Sequence, residues 1–108
     1  MACQITGRTE GDASIWVFDG PLDTEASQEV NSLVKQAFLG GAKKLIFDLA
    51  KVPYVSSMGL GVFANVIKTF PGKVFFAAMQ QYVRQTMKLA KFDTIATFAR
   101  TVEEALQA

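Results

Sequence analysis

The apolar residues at the start of the chain fall into two short runs that predict β-strands. The run Ile15–Phe18 is β-branched and aromatic, and it ends at Asp19-Gly20-Pro21, which is typical of a strand followed by a turn. The earlier run Cys3–Thr6 is separated from it by the turn-forming residues Glu10-Gly11-Asp12. We therefore expect the chain to open with a hairpin of two antiparallel strands.

From Thr24 the apolar residues recur every three or four positions, which is the period of an amphipathic helix. The first such segment is capped by Asp23, ends at Gly40-Gly41 and carries its apolar face on Ala26, Val30, Leu33, Val34, Ala37 and Phe38. A second helix stops before Pro71-Gly72 and has the face Leu60, Phe63, Ala64 and Ile67. A third is predicted from about Gln80 to Lys91.

Between these helices lie further apolar runs that predict buried strands. They comprise Leu45–Leu49, which Asp48 interrupts, then Val74–Ala78 and Ile95–Phe98. Thr101–Glu104 is a capping box that starts a last short helix. The order ββαβαβαβα predicts an α/β domain with a mostly parallel sheet of four to five strands and about four helices. Whether the helices cover one face or both is left open.

Composition and charge exclude several classes of protein. The chain has 108 residues, half of them hydrophobic, which fits one domain over residues 1–108. Eleven Lys and Arg against ten Asp and Glu give a net charge of +1, without the basic patch of a nucleic-acid binder. The N-terminal sequence has no signal-peptide pattern, and the apolar runs are too short to span a membrane. We expect no nucleic acid partner and no membrane insertion.

The residue types that usually act as catalytic groups or metal ligands are scarce. There is no histidine, the commonest general base and metal ligand, and a single Cys3, which cannot form an internal disulfide. Asp23 and Asp48 are conceivable catalytic carboxylates or metal ligands, but helix capping and a structural hydrogen bond are the commoner roles. We expect a cytoplasmic protein without metal, cofactor or enzymatic activity.

The most informative segment follows the third predicted strand and contains Ser56-Ser57-Met58-Gly59-Leu60-Gly61. We place Ser57 at the N-cap of the second helix, where free amides and the helix dipole favour a phosphate. A glycine within a helix costs about 1 kcal/mol relative to alanine, so Gly59 and Gly61 need a reason. Close approach of a partner and close packing within the domain are the two explanations. Met58 either offers a partner a flexible apolar contact or packs partly under the preceding loop.

Four motifs in order resemble the STAS domain of the bacterial anti-sigma factor antagonist family. Gly20-Pro-Leu-Asp23 is similar to the family's Gly-Glu-Leu-Asp, and Phe47-Asp-Leu-Ala50 with Val52-Pro-Tyr-Val55 is similar to its Leu-Asp-Leu-Ser and Val-x-Phe-Ile. Ser56–Gly61 resembles Asp-Ser-Ser-Gly-Leu-Gly, and Thr101–Leu106 resembles the acidic Glu-Glu-Ala-Leu ending. The resemblance covers nearly the whole chain.

The resemblance implies a regulatory switch rather than an enzyme. In the family an anti-sigma factor that is a serine kinase phosphorylates the serine that corresponds to Ser57, which ends binding, and a serine phosphatase restores it. The implied binding surface comprises Asp23, Thr24, Ser56, Ser57, Met58, Gly59, Leu60 and Gly61. Asp23 and Asp48 are implied to lie near the phosphorylated serine, and the chain is expected to be a monomer or a weak dimer.

Three positions depart from the family pattern. Ser56 stands where many members have Asp, Met58 replaces a Ser or Thr, and Pro21 replaces an acidic residue. Ser56 thereby becomes a second candidate for phosphorylation. An alternative function within the same fold is an adaptor subunit of a lipid-transport ATPase or a sensory complex that is never phosphorylated.

Overall fold

The strands form one sheet in the order of the chain. A computed structural model describes residues 3–108; Met1 and Ala2 of the predicted domain lie outside it. The strands are β1 Gln4–Glu10, β2 Ala13–Asp19, β3 Lys44–Lys51, β4 Lys73–Ala77 and β5 Thr97–Ala99, in the spatial order β1-β2-β3-β4-β5. β1 is antiparallel to β2, and each later strand is parallel to the one before it. The predicted hairpin and mostly parallel sheet are confirmed.

Helices make the crossovers between the parallel strands. They are α1 Thr24–Leu39, α2 Ser57–Thr69, α3 Gln81–Leu89 and α4 Val102–Gln107, with a 3-10 helix at Phe92–Thr94. The predicted element order is thus correct, with the 3-10 helix added before β5. None of the helices in residues 3–108 has the length and apolar character needed to cross a membrane.

The sheet is covered on both faces, but unequally. On one face α1, α2 and α3 pack against residues such as Phe47, Leu49 and Phe76. The centre of this core is aromatic: the Phe47 and Phe63 ring centroids lie 5.1 Å apart, and those of Phe63 and Phe76 lie 5.0 Å apart. On the other face α4 packs over a smaller cluster that includes Ile46 and Phe75. The helices α1, α2 and α3 therefore lie on the same face of the sheet, and the N-terminus of α2 lies on that face.

The structure corrects the predicted boundaries of β5 and α3 and two residues of the predicted apolar helix faces, Phe38 and Ala64, both of which are exposed. β5 starts two residues later than predicted, because the 3-10 helix takes up the preceding residues and leaves Ile95 53% exposed. α3 begins after Gln80 and ends at Leu89, before Lys91, whose φ of 65° is left-handed. Phe38, predicted on the buried face of α1, is 55% exposed near the end of that helix.

Candidate functional site

The residues that the sequence singled out lie on two loops joined by backbone hydrogen bonds. Leu22, after β2, and Val55, after β3, form an isolated parallel bridge. The Leu22 amide donates to the Tyr54 carbonyl at 3.0 Å, and the Ser56 amide donates to the Leu22 carbonyl at 2.9 Å. Since α1 and α2 begin directly after these loops, the bridge fixes their N-termini side by side at the carboxyl end of the parallel strands.

The N-terminus of α1 is capped as the sequence predicted. Asp23 has extended backbone angles, and its Oδ1 accepts a hydrogen bond from the Ala26 amide at 2.9 Å. The buried Ser27 hydroxyl donates to the Asp23 carbonyl at 2.6 Å. Thr24, the first helical residue, is exposed. Asp23 is thus held in place at the rim of the two loops.

The cap of α2 is Ser56, which corrects the assignment of Ser57 to that position. The Ser56 Oγ accepts from the Gly59 amide at 3.1 Å, and its ψ of 167° is the extended conformation of an N-cap. The bond from its amide to Leu22 holds Ser56 in this geometry. Ser57 is the first residue of the helix, is exposed, and makes no side-chain hydrogen bond to any of residues 3–108. The two adjacent serines therefore have different roles.

Gly59 and Gly61 also differ. A β-carbon built at Gly59 would lie 2.7 Å from Val55 Cγ1 and 3.1 Å from the Ser27 hydroxyl oxygen, so only glycine lets α2 pack this closely. A β-carbon at Gly61 would meet nothing within 4 Å. Internal packing thus explains Gly59 and does not explain Gly61, which is exposed on the helix surface.

Two large apolar side chains are exposed beside these serines. Met58 is 44% exposed on the first turn of α2, as the sequence predicted, and Tyr54 is 43% exposed on the loop before it. Leu60 is half-buried. Tyr54 was not among the predicted site residues, although its position next to Pro53 in the loop was a signal available in the sequence.

Asp48 lies on the other face of the sheet. Alternate residues of a strand point to opposite faces, and its neighbour Phe47 packs under the long helices. Asp48 shares the face of Ile46, which packs near α4, and its Oδ1 accepts from the Ala50 amide at 3.1 Å. The structure therefore separates Asp48 from Ser57, contrary to the expectation that it lies near this serine.

Cys3 lies at the α1 side of this region. A cavity of about 60 Å³ is lined by Cys3, Asp23, Glu25, Ala26 and Glu29. Burial is the main reason that the pKa of the Cys3 thiol is raised, and the charge of Asp23 adds to it. The thiol is therefore protonated and weakly nucleophilic at neutral pH. Residues 3–108 contain no group of three His, Cys, Asp or Glu side chains placed to hold a metal ion.

The model of the STAS domain family matches residues 4–105. The chain belongs to the STAS domain family. The match includes both loops and all five strands, so the candidate site lies within the STAS domain.

Solved structures of anti-sigma factor antagonists have the same fold. A putative anti-sigma factor antagonist from Thermotoga maritima is 23% identical, with a TM-score of 0.86, and the match covers 95% of this chain and 92% of that one. The anti-sigma factor antagonist SpoIIAA of Bacillus matches in its unphosphorylated form with a TM-score of 0.76, 18% identity and coverages of 98% and 94%. Its phosphorylated form matches with a TM-score of 0.73, 17% identity and coverages of 98% and 97%.

Proposed function

We propose that this STAS domain is an anti-sigma factor antagonist that binds a serine-kinase anti-sigma factor when unphosphorylated and is released when Ser57 is phosphorylated. The observation that carries the proposal is the exposed hydroxyl of Ser57 at the first position of α2, next to a serine whose own oxygen is used as the cap. The solved relatives include an antagonist described in phosphorylated and unphosphorylated forms.

Ser57 is favoured over Ser56 as the acceptor by access and by structural cost. Ser56 is half-buried, and modifying its oxygen would disturb the bond from the Gly59 amide that starts the helix. Ser57 can be modified without loss of this cap. A phosphate at the first turn also meets the favourable helix dipole, so the modified helix stays folded.

The phosphoryl transfer requires no catalytic group from this chain. The bond between Ser57 Oγ and the γ-phosphorus of ATP forms, and the bond from that phosphorus to the β,γ-bridging oxygen breaks, which releases ADP. The hydroxyl proton passes to a base of the kinase. The absence of histidine from the sequence is compatible with this passive role.

The surroundings of Ser57 support a docking surface that a phosphate would disrupt. Met58 and Tyr54 supply exposed apolar area, and Gly61 leaves space for the backbone of a partner to approach α2. Asp23, Thr24 and Leu60 complete the surface. A phosphoserine adds about −1.5 to −2 charge, and its desolvation opposes burial in an interface. Phosphorylation is therefore expected to end binding.

The test is incubation with a kinase-type anti-sigma factor and ATP, followed by mapping of the phosphate by mass spectrometry. We expect one phosphate on Ser57, retained in Ser56→Ala and lost in Ser57→Ala. Phosphorylation that persists in Ser57→Ala contradicts the assignment.

Binding is measured separately with the unmodified variants. Ser57→Ala is expected to bind the anti-sigma factor like the wild type, and Ser57→Asp to bind more weakly. Equal binding of Ser57→Asp would favour the alternative function, an adaptor subunit that is never phosphorylated. A serine phosphatase is expected to restore binding of the phosphorylated wild type.

A further inference from the structure

A second candidate site lies at the carboxyl ends of β4 and β5. A cavity of about 140 Å³ is lined by Ala78, Met79, Arg84, Phe98, Ala99 and Arg100. Its wall is fixed by the Ala78 amide, which donates to the Ala99 carbonyl at 3.1 Å. Ala78 has a φ of 59°, a left-handed conformation that is costly for a residue other than glycine. The cavity thus lies beyond the carboxyl ends of these two parallel strands.

The charged residues that line the cavity are two arginines, Arg84 and Arg100, and Glu104 contacts Arg100 beside it. Between Ala78 and Phe92 the chain carries Arg84, Lys88 and Lys91 and no acidic residue. The Arg84 guanidinium makes no hydrogen bond or ion pair with any of residues 3–108. Arg100 pairs with Glu104 at 3.4 Å through a side chain that is 89% exposed, and such surface pairs contribute little. Both arginines are therefore available to a ligand.

We propose that this cavity binds a phosphate group through Arg84 and Arg100. At about 140 Å³ the cavity is large enough for a tetrahedral anion of five non-hydrogen atoms. The planar guanidinium fork matches phosphate oxygens in pairs, and two forks at one cavity suit a doubly charged group better than a single carboxylate. The site uses neither Ser57 nor α2 and stands apart from the proposed function.

The proposal is tested by NMR titration of the ¹⁵N-labelled chain with inorganic phosphate, against sodium chloride at matched ionic strength. We expect saturable shifts of the Ala78, Met79 and Arg84 amides with phosphate and none with chloride. Arg84→Gln and Arg100→Gln are each expected to weaken binding about tenfold, corresponding to about 1.4 kcal/mol. Both side chains are exposed, so these variants are expected to fold.

Lys88→Gln is the matched control, since it removes one positive charge from the same helix at a residue that does not line the cavity. Its Kd for phosphate is expected to be within about twofold of the wild-type value, because a surface charge outside the cavity is screened by salt. Glycerol phosphate and acetate are titrated in parallel. Binding of the ester as well as the free ion assigns the site to phosphate monoesters, and binding of the free ion alone assigns it to inorganic phosphate.

Three results would overturn the proposal. These are shifts that do not saturate, acetate binding as tight as phosphate binding, and phosphate affinity that is unchanged in the double variant Arg84→Gln/Arg100→Gln. Ser57→Ala is expected to leave phosphate affinity unchanged, which separates this site from the phosphorylation switch.

Discussion

Gly59 of α2 lies directly against Ser27 of α1, so close that a β-carbon on Gly59 would be 3.1 Å from the Ser27 hydroxyl oxygen. The Leu22 carbonyl lies 3.3 Å from the same point. The first turns of the two helices are therefore packed without space between them. At Gly61, two residues further along α2, no atom of residues 3–108 lies within 4 Å of the corresponding point.

The first prediction is that Gly59→Ala and Gly61→Ala change stability in opposite directions. Gly61→Ala gains helix propensity without a clash and is expected to raise the free energy of unfolding by about 1 kcal/mol. Gly59→Ala makes the same gain, but overpacking of about 1–3 kcal/mol outweighs it. Urea denaturation of both variants measures the two values. A Gly59→Ala protein as stable as Gly61→Ala would contradict the close packing.

The second prediction concerns the two serines. Ser56→Ala removes the acceptor of the Gly59 amide and is expected to lower the free energy of unfolding by about 1 kcal/mol, or the Tm by about 4–8 °C. Ser57→Ala is the matched control and is expected to change stability by less than about 0.5 kcal/mol. Thermal unfolding followed by circular dichroism distinguishes them. If Ser57→Ala were the more destabilising of the two variants, Ser57 and not Ser56 would be the N-cap.

The difference between these serines also marks the limit of what the sequence could predict. Either serine is a good N-cap by residue type, and periodicity does not locate a helix start to one residue. The deciding contact is the bond from the Ser56 amide to the Leu22 carbonyl, which joins residues 34 positions apart. The order of the strands and α-helices, by contrast, follows from local apolar spacing and was predicted, whereas the 3-10 helix before β5 was not.

Asp48 and Gly59 illustrate the same limit. Asp48 occurs in a family motif next to the site in the sequence, but the face to which it points depends on the alternation of residues along β3. Packing explains Gly59 only once α1 and α2 are placed side by side. Both points depend on which face of the sheet α1 and α2 cover and on how closely these helices pack, which no local pattern encodes.

The third prediction concerns Lys44 and α4. The Lys44 Nζ donates to the carbonyls of Ala105, Leu106 and Ala108 at 2.8, 3.0 and 2.8 Å, and it lies 5.2 Å from the centroid of the Phe75 ring. These bonds satisfy carbonyls at the end of a helix of six residues, too short to be stable alone. Lys44→Met is expected to lower the free energy of unfolding by about 2 kcal/mol.

Amide hydrogen exchange locates this effect. In Lys44→Met the amides of Val102–Gln107 are expected to exchange faster, whereas those of α1 and α2 stay protected. Lys43→Met is the matched control, because this neighbouring lysine is exposed and its side chain makes no hydrogen bond to residues 3–108. Exchange in α4 that is as slow in Lys44→Met as in the control would show that apolar packing alone holds the helix.

The fourth prediction is that Cys3 reacts slowly with iodoacetamide. Burial raises the pKa of its thiol, so at pH 8 the folded chain holds less of the reactive thiolate than an unfolded peptide does. The folded state binds this proton more tightly. The tighter binding of the thiol proton therefore stabilises the folded state below the pKa of the unfolded chain, and this stabilisation is lost as the pH rises through the pKa of the folded chain.

Alkylation by iodoacetamide is expected to accelerate in urea and with rising pH. Glu29→Gln is expected to change the alkylation rate little, because burial affects the thiol pKa more than the charge of Glu29 does. Mass spectrometry of timed samples measures the rate; a folded chain that reacts as fast as the peptide would contradict the burial of the thiol.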